Sequence, residues 1–243
     1  MNTLAAAPRG FRGYFSRSRD VFTSVVLVMP LFFIYQIGVL ATGGLRNGVD
    51  FVTTALFALL GGNVVAYVVF NLVVMAGFVI ALLFLRKRGS FEPRLVPWIL
   101  LESTVYAVLL GSVVVALINS LGLGGLLAAG KAVPVGMFDK VVMSAGAGLY
   151  EEIVFRAFLM GGMIAALTKG LSVPRLPAVV VAIVASSVLF SAAHHITEPF
   201  TMSAFVFRIF AGILFAVVYR LRGLAVAAYT HAIYDVWVMV LHG

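Results

Sequence analysis

Residues 148–168 read GLYEEIVFRAFLMGGMIAALT and lie within an apolar segment, 140–168, that is long enough to cross a bilayer. A membrane-spanning helix needs about 20 predominantly apolar residues. Glu151, Glu152 and Arg156 nevertheless lie inside this segment, although a charged side chain at the centre of such a helix costs at least about 2.5–3.5 kcal/mol on insertion scales. The stretch therefore predicts a transmembrane helix that retains ionisable groups for a functional reason.

Apolar segments of similar length fill most of the remaining chain. Of its 243 residues, 63% are hydrophobic and 11% are charged, whereas about a quarter of the residues in a soluble domain are charged. The predicted spans lie at 21–41, 64–85, 97–119, 140–168, 177–197, 200–220 and 223–242. The predicted fold is all-α, a polytopic transmembrane bundle of about seven spans. A basic tail, 1–20, precedes a single membrane domain, 21–243, and the shorter apolar stretches 51–60 and 121–130 could lie at the interface or be re-entrant.

The basic residues predict the orientation in the membrane, because cytoplasmic loops carry an excess of Lys and Arg. With a cytoplasmic N-terminus, the cytoplasmic side holds most of them: Arg9, Arg12, Arg17, Arg19, Arg86, Lys87, Arg88, Arg94, Lys169, Arg175, Arg220 and Arg222. The opposite side holds Arg46, Lys131 and Lys140. We predict a multi-pass protein of the cell membrane, and this placement explains the net charge of +8 without a nucleic-acid partner.

The ionisable residues of the 140–168 span have a spacing that suggests a division of roles. Glu152 and Arg156 are four residues apart and share one face of an α-helix, where they can form an ion pair. Glu151 points about 100° away on the same helix. One carboxylate would be held by the arginine while the other remains available for chemistry.

Two later spans add histidines to this set. The 177–197 span ends in FSAAHH, from Phe190 to His195, and the 223–242 span contains HAIYD, from His231 to Asp235. A buried salt bridge and packing histidines are the structural alternative. Because ionisable residues recur in three separate apolar helices, a shared functional site is the favoured interpretation.

These motifs resemble those of the CPBP family of intramembrane proteases, which includes the type II CAAX prenyl endopeptidases and bacteriocin-processing or immunity-associated proteins. E-E-x-x-x-R, F-x-x-x-H and H-x-x-x-Asn/Asp follow in order, and the likeness covers roughly 144–240. The catalytic helices would lie within 140–168, 177–197 and 223–242. The resemblance implies catalytic roles for Glu151, His194, His231 and Asp235, and supporting roles for Glu152, Arg156 and Phe190.

The same resemblance implies a role for each catalytic residue. Glu151 and His194 would activate a water molecule, and His231 would stabilise the oxyanion. Asp235 stands where prenyl endopeptidases commonly have Asn. Since an ionised Asp would repel an oxyanion, Asp235 is expected to orient His231 or to be protonated itself.

A catalytic zinc ion is the main alternative to this chemistry, because two histidines and one glutamate form a known zinc set. Its ligands would be Glu151, His194 and His231. The sequence has no H-E-x-x-H motif and no cysteine, and the better understood relatives imply a metal-free glutamate mechanism. We therefore expect no cofactor.

The predicted function is an intramembrane endopeptidase that cleaves a membrane-associated or lipid-modified peptide or protein. Its expected partners are membrane lipid and that substrate. A proton-coupled transporter could use the same buried Glu and His residues, and a non-catalytic membrane scaffold could retain the motifs as structure. We find no inverted repeat that would favour the transporter.

Overall fold

A computed structural model describes residues 11–41, 61, 63–86, 91–126, 136–196 and 199–242, and these are mostly helical, with no strand among them. The helices are α1 (Phe11–Ser18), α2 (Val21–Ala41), α3 (Val64–Leu85), α4 (Val96–Ser120), α5 (Met137–Gly170), α6 (Arg175–His194), α7 (Met202–Arg222) and α8 (Leu224–His242). Short 3₁₀ turns lie at Pro93–Leu95 and Gly124–Leu126. The first ten residues of the basic tail, Arg46, the stretch 51–60, residues 127–130 and Lys131 lie outside the described residues.

The prediction of a polytopic helical bundle is confirmed. Among the described residues, six helices, α2 to α7, are long and apolar enough to cross a membrane. Helix α8, Leu224–His242, is apolar over Leu224–Val240 and lies at the place of the predicted seventh span.

Helix α8 lies at the centre of the bundle and contacts α2, α4, α5 and α7. Its buried face is built from small residues, including Ala228 and Ala232, which allow neighbouring helices to approach closely. Gly148 of α5 faces this surface, where a Cβ atom would overlap the carbonyl oxygen of Ala228. The lack of a side chain at this position lets α5 lie directly against α8.

Helix α5 changes its hydrogen-bonding register along its length. Ala147–Met160 is π-helical, and the amide of Gly161 donates to the carbonyl oxygen of Arg156, five residues earlier. Such i→i+5 bonding is rare and often occurs at functional sites. The α-helix predicted over 140–168 is thus a helix with a π-helical centre. In this segment the consecutive residues Glu151 and Glu152 are both fully buried.

An ion pair between Arg222 and Glu102 connects α1 to α4 and α7. It does not include the motif residues of α5, α6 and α8. Arg222 donates to both carboxylate oxygens of Glu102, at 2.5 and 2.8 Å. Tyr14 and Tyr106 donate to the same carboxylate at 2.5 and 2.8 Å, and Arg222 also donates to Ser18. Burial and the neighbouring carboxylate raise the pKa of the Tyr14 phenol, which keeps it a hydrogen-bond donor. We call these five residues the Arg222 cluster.

Candidate active site

Glu151 lies where three helices meet. Its Oε2 atom is 3.6 Å from Nε2 of His231 on α8 and 3.9 Å from Nε2 of His194 on α6. Only 1% of the Glu151 side chain is exposed to solvent. The structure therefore brings together, around one buried carboxylate, the two histidines that the sequence placed in separate spans.

His231 is held from two sides. Its Nδ1 atom is 2.9 Å from Oε1 of Glu152, and because a carboxylate only accepts, this nitrogen carries the proton. The Phe215 ring of α7 stacks on the imidazole at a centroid distance of 4.2 Å and an interplanar angle of 16°. These contacts fix the ring so that Nε2 faces Glu151.

Asp235 lies on the same face of α8 as His231, as its spacing predicted, but it is not the nearest carboxylate to that ring. Its Oδ2 atom is 3.7 Å from Nε2 of His231, which is longer than a hydrogen bond. Glu152 makes the shorter contact from the other side of the ring. Glu152 is the hydrogen-bonded partner of His231, because the π-helical segment points both of its glutamates at the ring, and the role expected of Asp235 stays a prediction.

His194 is the last residue of α6, and its ring is oriented by its own helix. Its Nδ1 atom is 2.9 Å from the carbonyl oxygen of Phe190. A carbonyl oxygen accepts only, so the neutral ring is protonated on Nδ1 and unprotonated on Nε2. That nitrogen points towards Glu151, and 14% of the His194 side chain is exposed.

The predicted ion pair between Glu152 and Arg156 is present, with Oε2 and Nε 3.4 Å apart. The guanidinium also donates to the carbonyl oxygen of Gly212 at 3.3 Å. Its Cζ atom lies 4.4 Å from the centroid of the Phe190 ring, within the range of a cation–π interaction. Arg156 thereby links α5 to α6 and α7 and holds Glu152 in place beneath His231.

Helix α7 contributes to the site, although the sequence had indicated only three helices. Phe215 and the Gly212 carbonyl are among its contributions, and neither carries a mark that distinguishes it in sequence. Arg208 of the same helix adds a positive charge that acts on His194 and Asp235. Phe215 is one of 20 phenylalanines, and any residue has a backbone carbonyl. Phe215 and Gly212 can be assigned to the site only once the helices that neighbour α7 are known.

Whether a metal ion fits this site depends on the spacing of its donor atoms. Zinc ligands at about 2.0–2.2 Å in a tetrahedral site place their donor atoms about 3.3–3.5 Å apart. The Glu151 carboxylate lies farther from both imidazoles, at 3.6 and 3.9 Å. Within the described ranges, no three His, Asp or Glu side chains have an arrangement that could hold a metal. The residues do not fit a zinc ion as they stand, and metal independence stays a prediction.

Comparison with known protein families gave a match over the helices that form this site. Residues 134–237 match the model of the family described as Type II CAAX prenyl endopeptidase Rce1-like. The matched segment contains the described parts of α5, α6 and α7 and most of α8, and therefore every residue of the site. Neither the curated proteins nor the solved structures gave a match. The Rce1-like domain of this multi-pass membrane protein supports its membership of the CPBP family of intramembrane proteases.

Proposed function

We propose that this chain is an intramembrane endopeptidase in which Glu151 activates water for attack on a peptide carbonyl. The observation that carries the proposal is a single buried carboxylate oxygen within 4 Å of the Nε2 atoms of two histidines from two other helices. Amide hydrolysis needs a base for the water, a donor for the oxyanion and a proton for the leaving amine. The three side chains can supply each of these.

The nucleophilic water would lie between Glu151 and His194. Oε2 of Glu151 and the unprotonated Nε2 of His194 are both acceptors, 3.9 Å apart. One water can donate a hydrogen bond of about 2.8 Å to each. With both protons engaged, its lone pair is directed at the substrate. Glu151 takes one proton as the new C–O bond forms.

His231 would stabilise the oxyanion through Nε2. Since Nδ1 donates to Glu152, a ring that also donates from Nε2 is an imidazolium. Asp235 and Glu151, 3.7 and 3.6 Å from Nε2, complement that positive charge. When the tetrahedral intermediate collapses, the C–N bond breaks and Glu151 returns its proton to the leaving amine, which gives a carboxylic acid and a free amine.

The substrate would be a membrane-associated or lipid-modified peptide. CAAX proteases act on lipid-modified peptides and proteins in membranes. His194 and Asp235 are the more exposed members of the site, with 14% and 21% of their side chains accessible. A peptide would reach the buried Glu151 past these two residues, at the end of α6.

The test is cleavage of a lipid-anchored reporter peptide and its unlipidated counterpart by the protein in vesicles. Glu151→Gln should lower the rate about 10²–10⁴-fold, the range for a lost general base, with the fold retained. Asp139→Asn removes a carboxylate from the first turn of the same helix and should cleave like wild type. Full activity of Glu151→Gln would exclude the proposed mechanism.

Metal dependence has a separate test. We expect the purified protein to hold zinc far below one ion per chain, and to keep its activity after dialysis against a strong chelator. Stoichiometric zinc, together with lost activity that zinc restores, would replace the metal-free mechanism with a zinc-dependent one.

A further inference from the structure

A cavity of about 690 Å³ lies between α1 and the first half of α4, and its lining residues do not belong to the candidate active site. Its size is within the range of about 300–1,000 Å³ that small-molecule sites occupy. Two arginines, Arg17 and Arg94, contribute to an otherwise mainly apolar lining. A charged edge on an apolar slot matches an amphipathic ligand.

The apolar wall is one face of α4. Trp98, Leu101 and Val105 follow at helical spacing and line the cavity, and their side chains are 61%, 56% and 47% exposed. From Arg94 to Val105 the helix rises about 16 Å. That length is close to half of the hydrocarbon thickness of about 30 Å, which is the depth of one acyl chain.

The charged end is placed for a lipid headgroup. Arg94 is exposed one turn before Trp98, and its guanidinium has no polar partner among the residues that the structure describes. Tryptophan is enriched at the level of the headgroups. Arg17 is fixed nearby by Glu92, with contacts of 2.5 and 2.6 Å. Both arginines lie on the side that the basic residues predict to be cytoplasmic, where anionic lipids attract basic groups.

The carboxylate in the cavity wall does not oppose an anion. Glu102 lines the cavity, but both of its oxygens accept hydrogen bonds within the Arg222 cluster. Its charge is balanced by Arg222, so Arg94 provides the unbalanced charge of the site. The balance of charge therefore favours an anionic over a zwitterionic ligand.

We propose that this cavity binds one anionic phospholipid, with its phosphate at Arg94 and Arg17 and one acyl chain along Trp98, Leu101 and Val105. Lipid binding at this cavity is separate from the proposed peptide cleavage and does not depend on it. It differs from the general lipid annulus in two measurable respects: it saturates, and it discriminates between headgroups.

Trp98 provides the probe. The chain has two tryptophans, so Trp237→Phe leaves Trp98 as the sole fluorophore. The protein is placed in phosphatidylcholine vesicles that contain increasing fractions of phosphatidylglycerol with brominated chains, which quench tryptophan on contact. A parallel series uses brominated phosphatidylcholine. We expect half-maximal quenching at a several-fold lower fraction of the anionic lipid.

Charge-removing variants decide whether Arg94 is responsible. Arg94→Gln in the Trp237→Phe background should abolish the preference for phosphatidylglycerol. Arg175→Gln removes an exposed arginine from the start of α6, away from the cavity, and should retain the preference. Equal quenching by both lipids, or a preference that survives Arg94→Gln, would overturn the proposal. Displacement of the brominated lipid by a prenylated peptide would overturn it too, because the cavity would then be a substrate site.

Discussion

Two arginine–carboxylate clusters are buried in this bundle, and they differ in how completely their hydrogen bonds are formed. In the Arg222 cluster, the guanidinium binds both oxygens of Glu102 at 2.5 and 2.8 Å. At the active site, Arg156 approaches Glu152 at 3.4 Å and the Gly212 carbonyl at 3.3 Å. Within the described residues, Nη1 of Arg156 and Oε2 of Glu152 form no hydrogen bond.

We interpret the difference as one between a stabilising cluster and the proposed catalytic cluster. Buried polar groups that are fully paired make a network rigid, whereas incompletely paired ones are costly. The Arg222 cluster fastens α1 to the bundle, and no step of the proposed reaction uses it. The active-site cluster keeps polar atoms without partners beside Glu151, where a substrate and a water would supply the missing contacts.

The largest expected effect is on stability. Arg222→Met would leave the partly buried Glu102 carboxylate without its cation, and breaking a well-formed buried pair costs up to about 3–5 kcal/mol. Arg156→Met should cost less, since its pair is already long. Thermal unfolding in detergent gives both values, and an equal or larger loss for Arg156→Met would remove the distinction between the clusters.

The next effect is on catalysis alone. His231→Gln removes the proposed oxyanion donor and should lower kcat about 10²–10³-fold, as for other donors of this kind. The unfolding temperature should change little in comparison with Arg222→Met. Peptide cleavage in vesicles measures the rate, and wild-type turnover would show that His231 has no part in the reaction.

A smaller effect is expected from the contact between α5 and α8. Gly148→Ala would push α5 away from Ala228 and Ala232, and so move Glu151 and Glu152 relative to His231. Displacement of catalytic groups by about 1 Å can cost up to 10²-fold in rate, and we expect a loss of about tenfold. Gly162→Ala is the matched control, because a Cβ there has open space. Similar losses in both variants would contradict this explanation.

The smallest effect concerns the ring that stacks on His231. Phe215→Leu keeps the apolar volume of α7 but removes the stacking, which is worth about 0.5–1.5 kcal/mol for aromatic pairs. We expect a two- to tenfold lower kcat/KM, corresponding to about 0.4–1.4 kcal/mol. A loss as large as that of His231→Gln would mean that Phe215 contacts the substrate itself.

Hydrophobic length was enough to predict the helices, because a bilayer imposes the same requirement on every span. Val21–Ala41 and Val64–Leu85 have the predicted bounds. The pairing of Glu152 with Arg156 was also predictable, since residues four apart are neighbours in a helix. The convergence of Glu151, His194 and His231 was predictable because an ionisable side chain is unfavourable in an apolar medium. Such side chains are rare in membrane spans unless they share a functional site.

Other features depend on contacts that no local pattern records. The π-helical register of Ala147–Met160 turns both glutamates to His231, and residue types do not distinguish it from an α-helix. For the same reason Glu152, and not Asp235, is the nearest partner of the His231 ring. Phe215 entered the site only through the packing of α7 against α8.

The most direct test of the central claim is a crystal structure of the wild-type protein with data recorded at the zinc absorption edge. The account predicts an ordered water within about 3.2 Å of both Oε2 of Glu151 and Nε2 of His194, with no anomalous peak at that position. An anomalous peak bound by Glu151, His194 and His231, or side chains that point away from a common centre, would contradict it.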